Sequence, residues 1–544
     1  MTSGDEFEKI TTWKMGMPWE AAIEEMRLRR EAVKRMGGKE RIARHHDQGK
    51  LTIRERIDRL VDKDTFFEVG SLMGRGIYDE NGDIIDFLPG AFVEGLAEID
   101  GRQVTVGGED FTISGGSPAG MHKDARLFMQ PMSLQYGIPL VQLCDGAGAS
   151  AASYEGSGQK GGGGGRMSLP PGTQWWWDVQ LLQKVPVVSA VVGSCAGHVA
   201  ARAVLSHFSI MVKGTGQIFP AGPPVVSRAL SENTPKDDLG GTRRHTRETG
   251  VIDNEAEDEE DAFRQIRGFL SYMPDNVYEV TARKDMGDDP NRREEELLGI
   301  VPINRKRPYD MYKVIRLLVD KGEFFEMRKY YGAAVITAFA RMDGYVVGVL
   351  ASNPMVHAGA MIGKAAQKMA RFIDLCNCFS IPLLLLGDVP GFMIGSEAEK
   401  EGTMRYGMVA VMAAQEASVP KVHIALRKSY GMGGDAFSSA GGGGMMTLNL
   451  RLGWPSGEWG AIPIEGGVAA AYRRVIESAP DPEAKRKELE EKLVGFRSPF
   501  RAAEAGDVID IIDPRDTRPI TCRFIRAAQP ALKRNAGPKR SVRP

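Results

Sequence analysis

The feature that most constrains this chain of 544 residues is that it contains one pattern twice, so it must fold as two similar halves. Leu60-Val-Asp-Lys-Asp-Thr-Phe-Phe-Glu68 recurs as Leu318-Val-Asp-Lys-Gly-Glu-Phe-Phe-Glu326, with seven of nine positions identical. Asp100-Gly101, ahead of an apolar run, recurs as Asp343-Gly344. Ile138-Pro139-Leu140 recurs as Ile381-Pro382-Leu383, Asp145 as Asp388, and Val185-Pro186 as Val419-Pro420. The offset is 258 at the first pair, 243 at the next three and 234 at the last. The first copy therefore carries 15 extra residues between Glu68 and Asp100, and 9 extra between Asp145 and Val185. This order defines a first domain over residues 1–290, with a helical arm over 20–60, and a second over 300–522. The join falls in the charged, Pro-containing stretch Asp285–Arg307, and a basic tail occupies 523–544.

Within each copy, short β-rich apolar runs alternate with helical segments. The spacing predicts helices over Arg126–Tyr136, Trp175–Gln183 and His198–Leu205, and strands over Leu140–Cys144 and Val187–Val192. In the second copy it predicts helices over Lys364–Cys376, Met404–Ala417 and Gly434–Ser439, and strands over Leu383–Leu386 and Val422–Leu426. That alternation is the signature of an α/β fold with crossover connections. The acidic run 253–261, seven acids in nine positions, reads as a solvated face or loop.

Composition removes several function classes. A net charge of −1 gives no reason to expect a nucleic-acid partner. The most apolar stretch, Val187–Leu205, is interrupted by His198 and Arg202 and is no membrane span. Five cysteines without a CxxC pair point to a reducing, cytoplasmic compartment, and Asp5, Glu6, Glu8 and Lys9 stand where a signal peptide needs an apolar core. No HExxH or similar metal spacing occurs, and no metal is expected. Gly156–Gly161 fits GxGxxG only as letters, and Gly359–Lys364 has the wrong spacing for a phosphate loop.

Two glycine-rich turns stand at equivalent places of the repeat. Gly193-Ser-Cys-Ala-Gly-His198 and Ser429-Tyr-Gly-Met-Gly-Gly-Asp435 each follow an apolar strand and precede a helix. Such a junction lets backbone approach a ligand closely, and the first N–H groups of the following helix lack intrahelical partners. They suit an oxygen that gains negative charge, such as a thioester carbonyl becoming an enolate. One such donor contributes about 3–4 kcal/mol in a transition state.

At these turns the sequence resembles the β subunits of biotin-dependent acyl-CoA carboxylases, the propionyl-CoA and methylcrotonyl-CoA carboxylase family. The resemblance runs from about Gly49 to Arg518. It is carried by GKLTIRERI (49–57), EDFTISGGS (109–117), CAGHVA (195–200), LGGTRRHTRETGV (239–251), SNPMVHAG (352–359), GDVPGFMIG (387–395), VPKVHIALRKSYGMGGDAFSS (419–439) and IDPRDTRP (512–519).

The resemblance implies two tandem crotonase-like carboxyltransferase domains. The first would hold the acyl-CoA and the second the biotin, with active sites between subunits of a homohexamer, a trimer of dimers. Carboxybiotin releases CO2, the biotin ring nitrogen takes the α-proton, and the thioester enolate attacks CO2, so no side-chain base is needed. By position, the N–H groups of Gly197 and His198 would hold the acyl enolate, and those of Met432 and Gly433 the biotin oxygen. Gly115, Gly116, Asp145, Gly146, Ala147, Gly148 and Asp435 would line the acyl side. Val389, Pro390, Gly391, Phe392, Tyr430 and Gly431 would line the biotin side. With no Met-Lys-Met biotinylation motif and no ATP-grasp segment, a partner carrying the biotin carboxylase and biotin carboxyl carrier functions is expected.

The chain departs from the family at His198, where a second Gly is common, at Met432, and at Asp145-Gly-Ala-Gly-Ala-Ser150. The five glycines Gly161–Gly165 and Trp175-Trp176-Trp177 follow that segment. These departures point to an unusual, larger or branched acyl group. The competing readings are a biotin-dependent acyl-CoA decarboxylase subunit running the transfer in reverse, a crotonase-type hydratase with Glu397 or Glu399 as base, and a non-catalytic scaffold of a carboxylase complex.

Overall fold

The computed structural model describes residues 12–117, 128–148, 173–438, 449–494, 498–540 and 542. The chain forms two compact units, one ending at Ser271 and the other beginning at Tyr272. In the first, the strands β1 (Phe67–Val69), β2 (Phe92–Ile99), β3 (Arg102–Glu109), β4 (Leu140–Cys144), β5 (Val187–Val191), β6 (Phe208–Val212) and β7 (Asn254–Ala256) form one sheet in that spatial order. In the second, β8 (Phe324–Met327), β9 (Val335–Met342), β10 (Tyr345–Ser352), β11 (Leu383–Val389), β12 (Lys421–Tyr430), β13 (Asn449–Gly453) and β14 (Asp510–Ile511) repeat it, with Glu458–Gly460 added against β12. Each sheet opens with two antiparallel pairings and continues in parallel. The parallel strands β4, β5 and β11 are buried along their whole length, as strands covered on both faces must be. The sequence-predicted strands 140–144 and 187–192 are β4 and β5, and the predicted helices correspond to Met129–Tyr136, Thr173–Leu181, His198–Val204, Gly363–Cys378, Thr403–Glu416 and Gly431–Ser438.

The repeated letters have a mechanical cause. The Asp62 carboxylate accepts the N–H groups of Asp100 (3.1 Å) and Gly101 (2.7 Å), which form the turn between β2 and β3. Asp320 accepts those of Asp343 (3.1 Å) and Gly344 (2.7 Å) in the same way. Asp100 and Asp343 both sit at positive φ, 51° and 52°, as a tight turn of this hand requires. The 15 extra residues of the first copy fold as the hairpin Gly74–Tyr78/Ile84–Pro89. Most of the second insertion, with the Gly161–Gly165 run and Ser150, lies outside the described residues.

Residues 20–60 form the helices α1 (Trp19–Lys34), α2 (Lys39–Asp47) and α3 (Ile53–Leu60), the last started by a capping box between Thr52 and Glu55. Arg283 and Lys284, at the edge of the expected join, bond to Asp343 and Gly344 of the second unit. The helix Thr517–Arg534 runs through residue 522, where the sequence reading ended the second domain. It is held because Cys522, Ile525 and Leu532 are buried. The acidic run is solvated only in part, at Glu257, Asp258 and Glu260. Asp253 and Glu259 are buried, and Glu255 is held well below the usual carboxylate range, to about 2, by Arg247 and Thr246 against the opposing effect of burial.

Asp320 faces Arg518 at 2.7 Å, and both are about 1% exposed. Asp320→Ala leaves a buried guanidinium short of its carboxylate and is expected to cost about 3–5 kcal/mol. Asp62→Ala, without such a partner, is expected to cost about 2 kcal/mol. Urea unfolding of the two variants measures the difference.

Candidate functional site

In the first unit, β5 leads into the short strand Ser194–Ala196, paired in parallel with Gln217–Phe219, and then into Gly197. Gly197 has φ 60° and ψ −124°, a conformation an L side chain resists, and the space where its Cβ would stand is open. The helix His198–Val204 starts directly after it. The Gly197 N–H, expected to face a ligand oxygen, instead lies 3.3 Å from the Phe219 carbonyl, so the first N–H of the helix proper is that of His198. The residues expected beside this turn do gather around it. Ala147 N–H donates to Gly115 O (2.8 Å) and Ala196 N–H to Gly146 O (3.0 Å). Gly116 lies so close to Asp145 that a Cβ would stand 2.8 Å from its carbonyl, and Gly148 so close to Ala196 that one would stand 2.6 Å from that carbonyl. Gly115, Gly116, Asp145, Gly146, Ala147, Gly148 and Gly197 thus form one backbone-lined cluster.

The Asp145 side chain, expected on the substrate side, points into the protein. Its oxygens lie 2.7 Å and 2.9 Å from Lys50 Nζ and 3.0 Å from Arg56 Nη1. Arg56 also forks onto Glu259 at 2.7 Å and 2.9 Å. A Cβ on Gly193 would fall 1.8 Å from Asp145 Oδ1, so the glycine opening the turn is required by this carboxylate. Burial, reinforced by Lys50, holds the His45 imidazole down to about 4 and therefore neutral. His45 is buried against the Leu51 carbonyl. No spacing rule signalled this network. Lys50 and Arg56 are letters of GKLTIRERI, and Glu259 is one of the acidic run.

The His198 side chain lies edge-on to Trp175, with ring centroids 5.1 Å apart, and its Nε2 is 3.9 Å from Asp178 Oδ2. Asp178 is buried and accepts from Gln130 Nε2 at 2.6 Å. Burial raises its carboxyl to about 6, and that of nearby buried Glu94 to about 7. Arg202, on the same helix as His198, bonds Glu109 at 2.5 Å. Cys195 is fully buried and its thiol is pushed up by burial, which removes it as a nucleophile.

The second unit repeats the design. Asp388, buried at the end of β11, accepts from Arg427 Nε (3.0 Å) and from the Lys428 N–H (3.1 Å). Val389 pairs with Ser429 in the sheet, and Gly391 O accepts the Met361 N–H (3.0 Å). A Cβ on Gly433 would stand 2.6 Å from Gly391 C and 2.9 Å from Phe392 N, so only glycine fits. Tyr430 donates to Glu458 at 2.6 Å, and Gly431 has φ 54°. Val389, Pro390, Gly391, Phe392, Tyr430, Gly431, Met432 and Gly433 are thereby one cluster. Met432 and Asp435, three residues apart, share the exposed face of the helix Gly431–Ser438. The three-residue turns Ser114–Gly116 and His357–Gly359, 243 positions apart and both at positive φ, flank the two clusters. Lys428 Nζ reaches Ala358 O at 3.3 Å. Glu397 is exposed and paired with Lys400 at 2.7 Å, a solvated acid and no base in a pocket.

A doubled α/β sheet with a close-packed glycine turn at the same place in each copy defines a carboxyltransferase built of tandem crotonase-like domains. The carboxyl transferase domain matches residues 44–542, so the chain belongs to the carboxyl transferase family. It is 36% identical to the propionyl-CoA carboxylase carboxyltransferase subunit of Haloferax mediterranei over 92% of this chain and 95% of that one. It is 34% identical to the methylmalonyl-CoA decarboxylase subunit alpha of Veillonella parvula over 93% and 96%. The transcarboxylase 12S crystal structure, a hexamer assembly with methylmalonyl-coenzyme A and methylmalonic acid bound, superposes with a TM-score of 0.84 at 31% identity over 98% of both chains. The chain is an enzyme of the acyl-CoA carboxyltransferase class. Among the described residues, no helix is long and apolar enough to cross a membrane.

The folded state favours the protonated form of Asp178, so the stability this group contributes is present below the unfolded value near 3.8 and is lost as pH rises through about 6. Asp178→Asn removes that loss. Its melting temperature is expected to rise relative to the unsubstituted protein between pH 5 and pH 8, as scanning calorimetry at the two values would show.

Proposed function

We propose that this enzyme transfers a carboxyl group between a biotin carried on a partner protein and the α-carbon of an acyl-CoA, with the first unit holding the thioester and the second the biotin. The observation that carries the reading is the equivalence of the two turns: each ends a buried strand and starts a helix, and each is packed so tightly that glycine is required beside it. In the first turn the His198 N–H is aimed at the thioester oxygen and stabilises the charge that develops there when the α-proton leaves. In the second, the Met432 and Gly433 N–H groups take the same role toward the ureido oxygen of biotin, in the cradle against Gly391 and Phe392 that a Cβ would fill. Bound biotin supplies the labile carboxyl group and a ring nitrogen that accepts the α-proton, so the chain needs no side-chain base. Asp145 and Asp388 act as anchors of the two turns, away from the reacting atoms.

The likeness to the transcarboxylase 12S hexamer assembly supports a homohexamer that meets a biotin carboxylase and biotin carboxyl carrier partner. A second reading, decarboxylation of a carboxylated acyl-CoA, is favoured by the 34% identity to a methylmalonyl-CoA decarboxylase subunit, and the two differ only in direction. His198 with Trp175 beside the first turn favours an acyl group larger or more branched than propionyl.

The purified protein is expected to move radiolabelled carboxylate from methylmalonyl-CoA to free biotin, and more efficiently from a longer or branched malonyl-type thioester. No transfer from any ester of a panel running from malonyl- to long-chain malonyl-type CoA would overturn the reading. Equal turnover of malonyl- and methylmalonyl-CoA, with nothing better, would overturn the substrate class.

A further inference from the structure

The proposed mechanism gives the second turn two N–H donors, those of Met432 and Gly433, but the first turn only one. The Gly197 N–H lies 3.3 Å from the Phe219 carbonyl, which leaves that of His198. Beside this single donor stands the imidazole of the same residue. Its ring is held from two sides: Trp175 meets it edge-on, with centroids 5.1 Å apart, and Nε2 lies 3.9 Å from Asp178 Oδ2. Nε2 is buried while the side chain as a whole is 20% exposed, so the accessible part of the residue lies away from Nε2. Nδ1, bonded to Cγ, is by covalent geometry the ring nitrogen nearer the residue's own backbone N–H.

Asp178 is oriented in turn. Gln130 Nε2 donates to its Oδ1 at 2.6 Å, which leaves Oδ2, without a hydrogen-bond partner among the described residues, facing the ring. Burial raises this carboxyl to about 6, so it holds a proton more readily than an ordinary aspartate. The other ionisable groups nearby are matched or kept neutral. Arg202, on the helix that His198 begins, is bonded to Glu109 of β3 at 2.5 Å. Glu94 of β2 accepts the Met129 N–H at 2.9 Å, and burial raises its carboxyl to about 7. The Cys144 and Cys195 thiols are pushed up by burial and stay protonated. One proton shared between Nε2 and Oδ2 then decides what Nδ1 can do. While that proton is present, on either atom, the ring's other proton sits on Nδ1. When it is lost, the remaining ring proton turns to the carboxylate on Nε2, and Nδ1 becomes an acceptor.

We infer that the His198 imidazole is the missing donor of the first turn: its Nδ1–H joins the backbone N–H of the same residue on the thioester oxygen, and Asp178 is the positioning residue that keeps a proton on Nδ1. The inference rests on the proposed acyl-CoA function of the first unit. The ring makes and breaks no covalent bond to the substrate. Its Nδ1 proton stays in place as charge develops on the oxygen, and the α-proton still goes to the biotin nitrogen.

The test measures kcat for carboxyl transfer from methylmalonyl-CoA to free biotin between about pH 5 and about pH 9 in the unsubstituted protein, Asp178→Asn, His198→Asn and His198→Ala. Infrared difference spectra of bound propionyl-CoA, isotopically labelled at the thioester carbonyl, read the same hydrogen bond without turnover. In the unsubstituted protein kcat is expected to fall about tenfold or more towards alkaline pH, as the pair gives up its shared proton. Asp178→Asn should remove that fall: Gln130 holds the amide oxygen, the amide N–H faces Nε2, and Nδ1–H persists. His198→Asn sets an amide N–H near the Nδ1 position and is expected to stay well above His198→Ala at every pH, with KM alike. The labelled carbonyl band should lie at lower frequency in the unsubstituted protein than in His198→Ala. An alkaline fall retained in Asp178→Asn, equal kcat in the unsubstituted protein and His198→Ala, or a carbonyl band at one frequency in both would overturn the inference. Losses that follow the melting temperature and leave the pH profile untouched would mean a merely structural role for Asp178 and overturn it equally. If no ester is turned over but the band shifts as expected, the donor stands and the carboxyl-transfer reading falls.

Discussion

Everything in the two turns depends on a buried carboxylate at the end of a parallel strand. Asp145 and Asp388 stand 243 positions apart, and each is neutralised inside the protein, the first by Lys50 and Arg56, the second by Arg427. An ionised carboxylate in such surroundings is tolerated only while its partners are in place, because a buried charge left alone costs several kcal/mol. That condition fixes the chain on either side. Asp145 holds the loop 145–148 against Gly115, Gly116 and Ala196, while Asp388 holds 389–392 against Gly433. The glycines follow from the anchors: Gly193 is small because Asp145 fills the space beside it, and Gly433 because the Gly391–Phe392 backbone does.

With the turns fixed this firmly, catalysis can be left to backbone. Among the described residues, the two clusters contain tightly packed glycines and helix starts and no poised acid–base pair. The raised carboxyls of Asp178 and Glu94 lie behind the first turn, among Gln130, Arg202 and Trp175, where they shape the polarity around His198. Rigid N–H donors need no reorganisation as charge develops, which is the physical advantage of such a site over a mobile side chain.

Much of this was legible in the letters because the repeat doubles every signal. Strand runs such as 140–144 and 187–191 are continuous and apolar, and Gly-rich junctions after them mark the turns without ambiguity. The recurrent Leu-Val-Asp-Lys became intelligible only as a cap: Asp62 and Asp320 hold the N–H groups of a distant Asp-Gly turn. What the letters hid was pairing at long range. Glu259 reads as one acid among seven, yet it forks onto Arg56 more than two hundred positions earlier. The Gly197 N–H reads as a donor to a ligand, yet the neighbouring strand places the Phe219 carbonyl in front of it. The helix Thr517–Arg534 reads as the start of a loose basic tail because its apolar residues are few, but they fall on one face.

The central claim is that backbone N–H groups in each turn, that of His198 in the first and those of Met432 and Gly433 in the second, stabilise a developing oxyanion. Proline within the first turn of a helix removes that donor with little effect on the helix itself, and alanine at the same place keeps it. The direct measurement is kcat for carboxyl transfer from methylmalonyl-CoA to biotin in His198→Pro against His198→Ala, and in Met432→Pro against Met432→Ala. At each turn the proline variant is expected to fall below its alanine control by about a hundredfold or more, with melting temperatures alike. Equal rates in the proline and alanine variants of either turn would contradict the assignment of that turn.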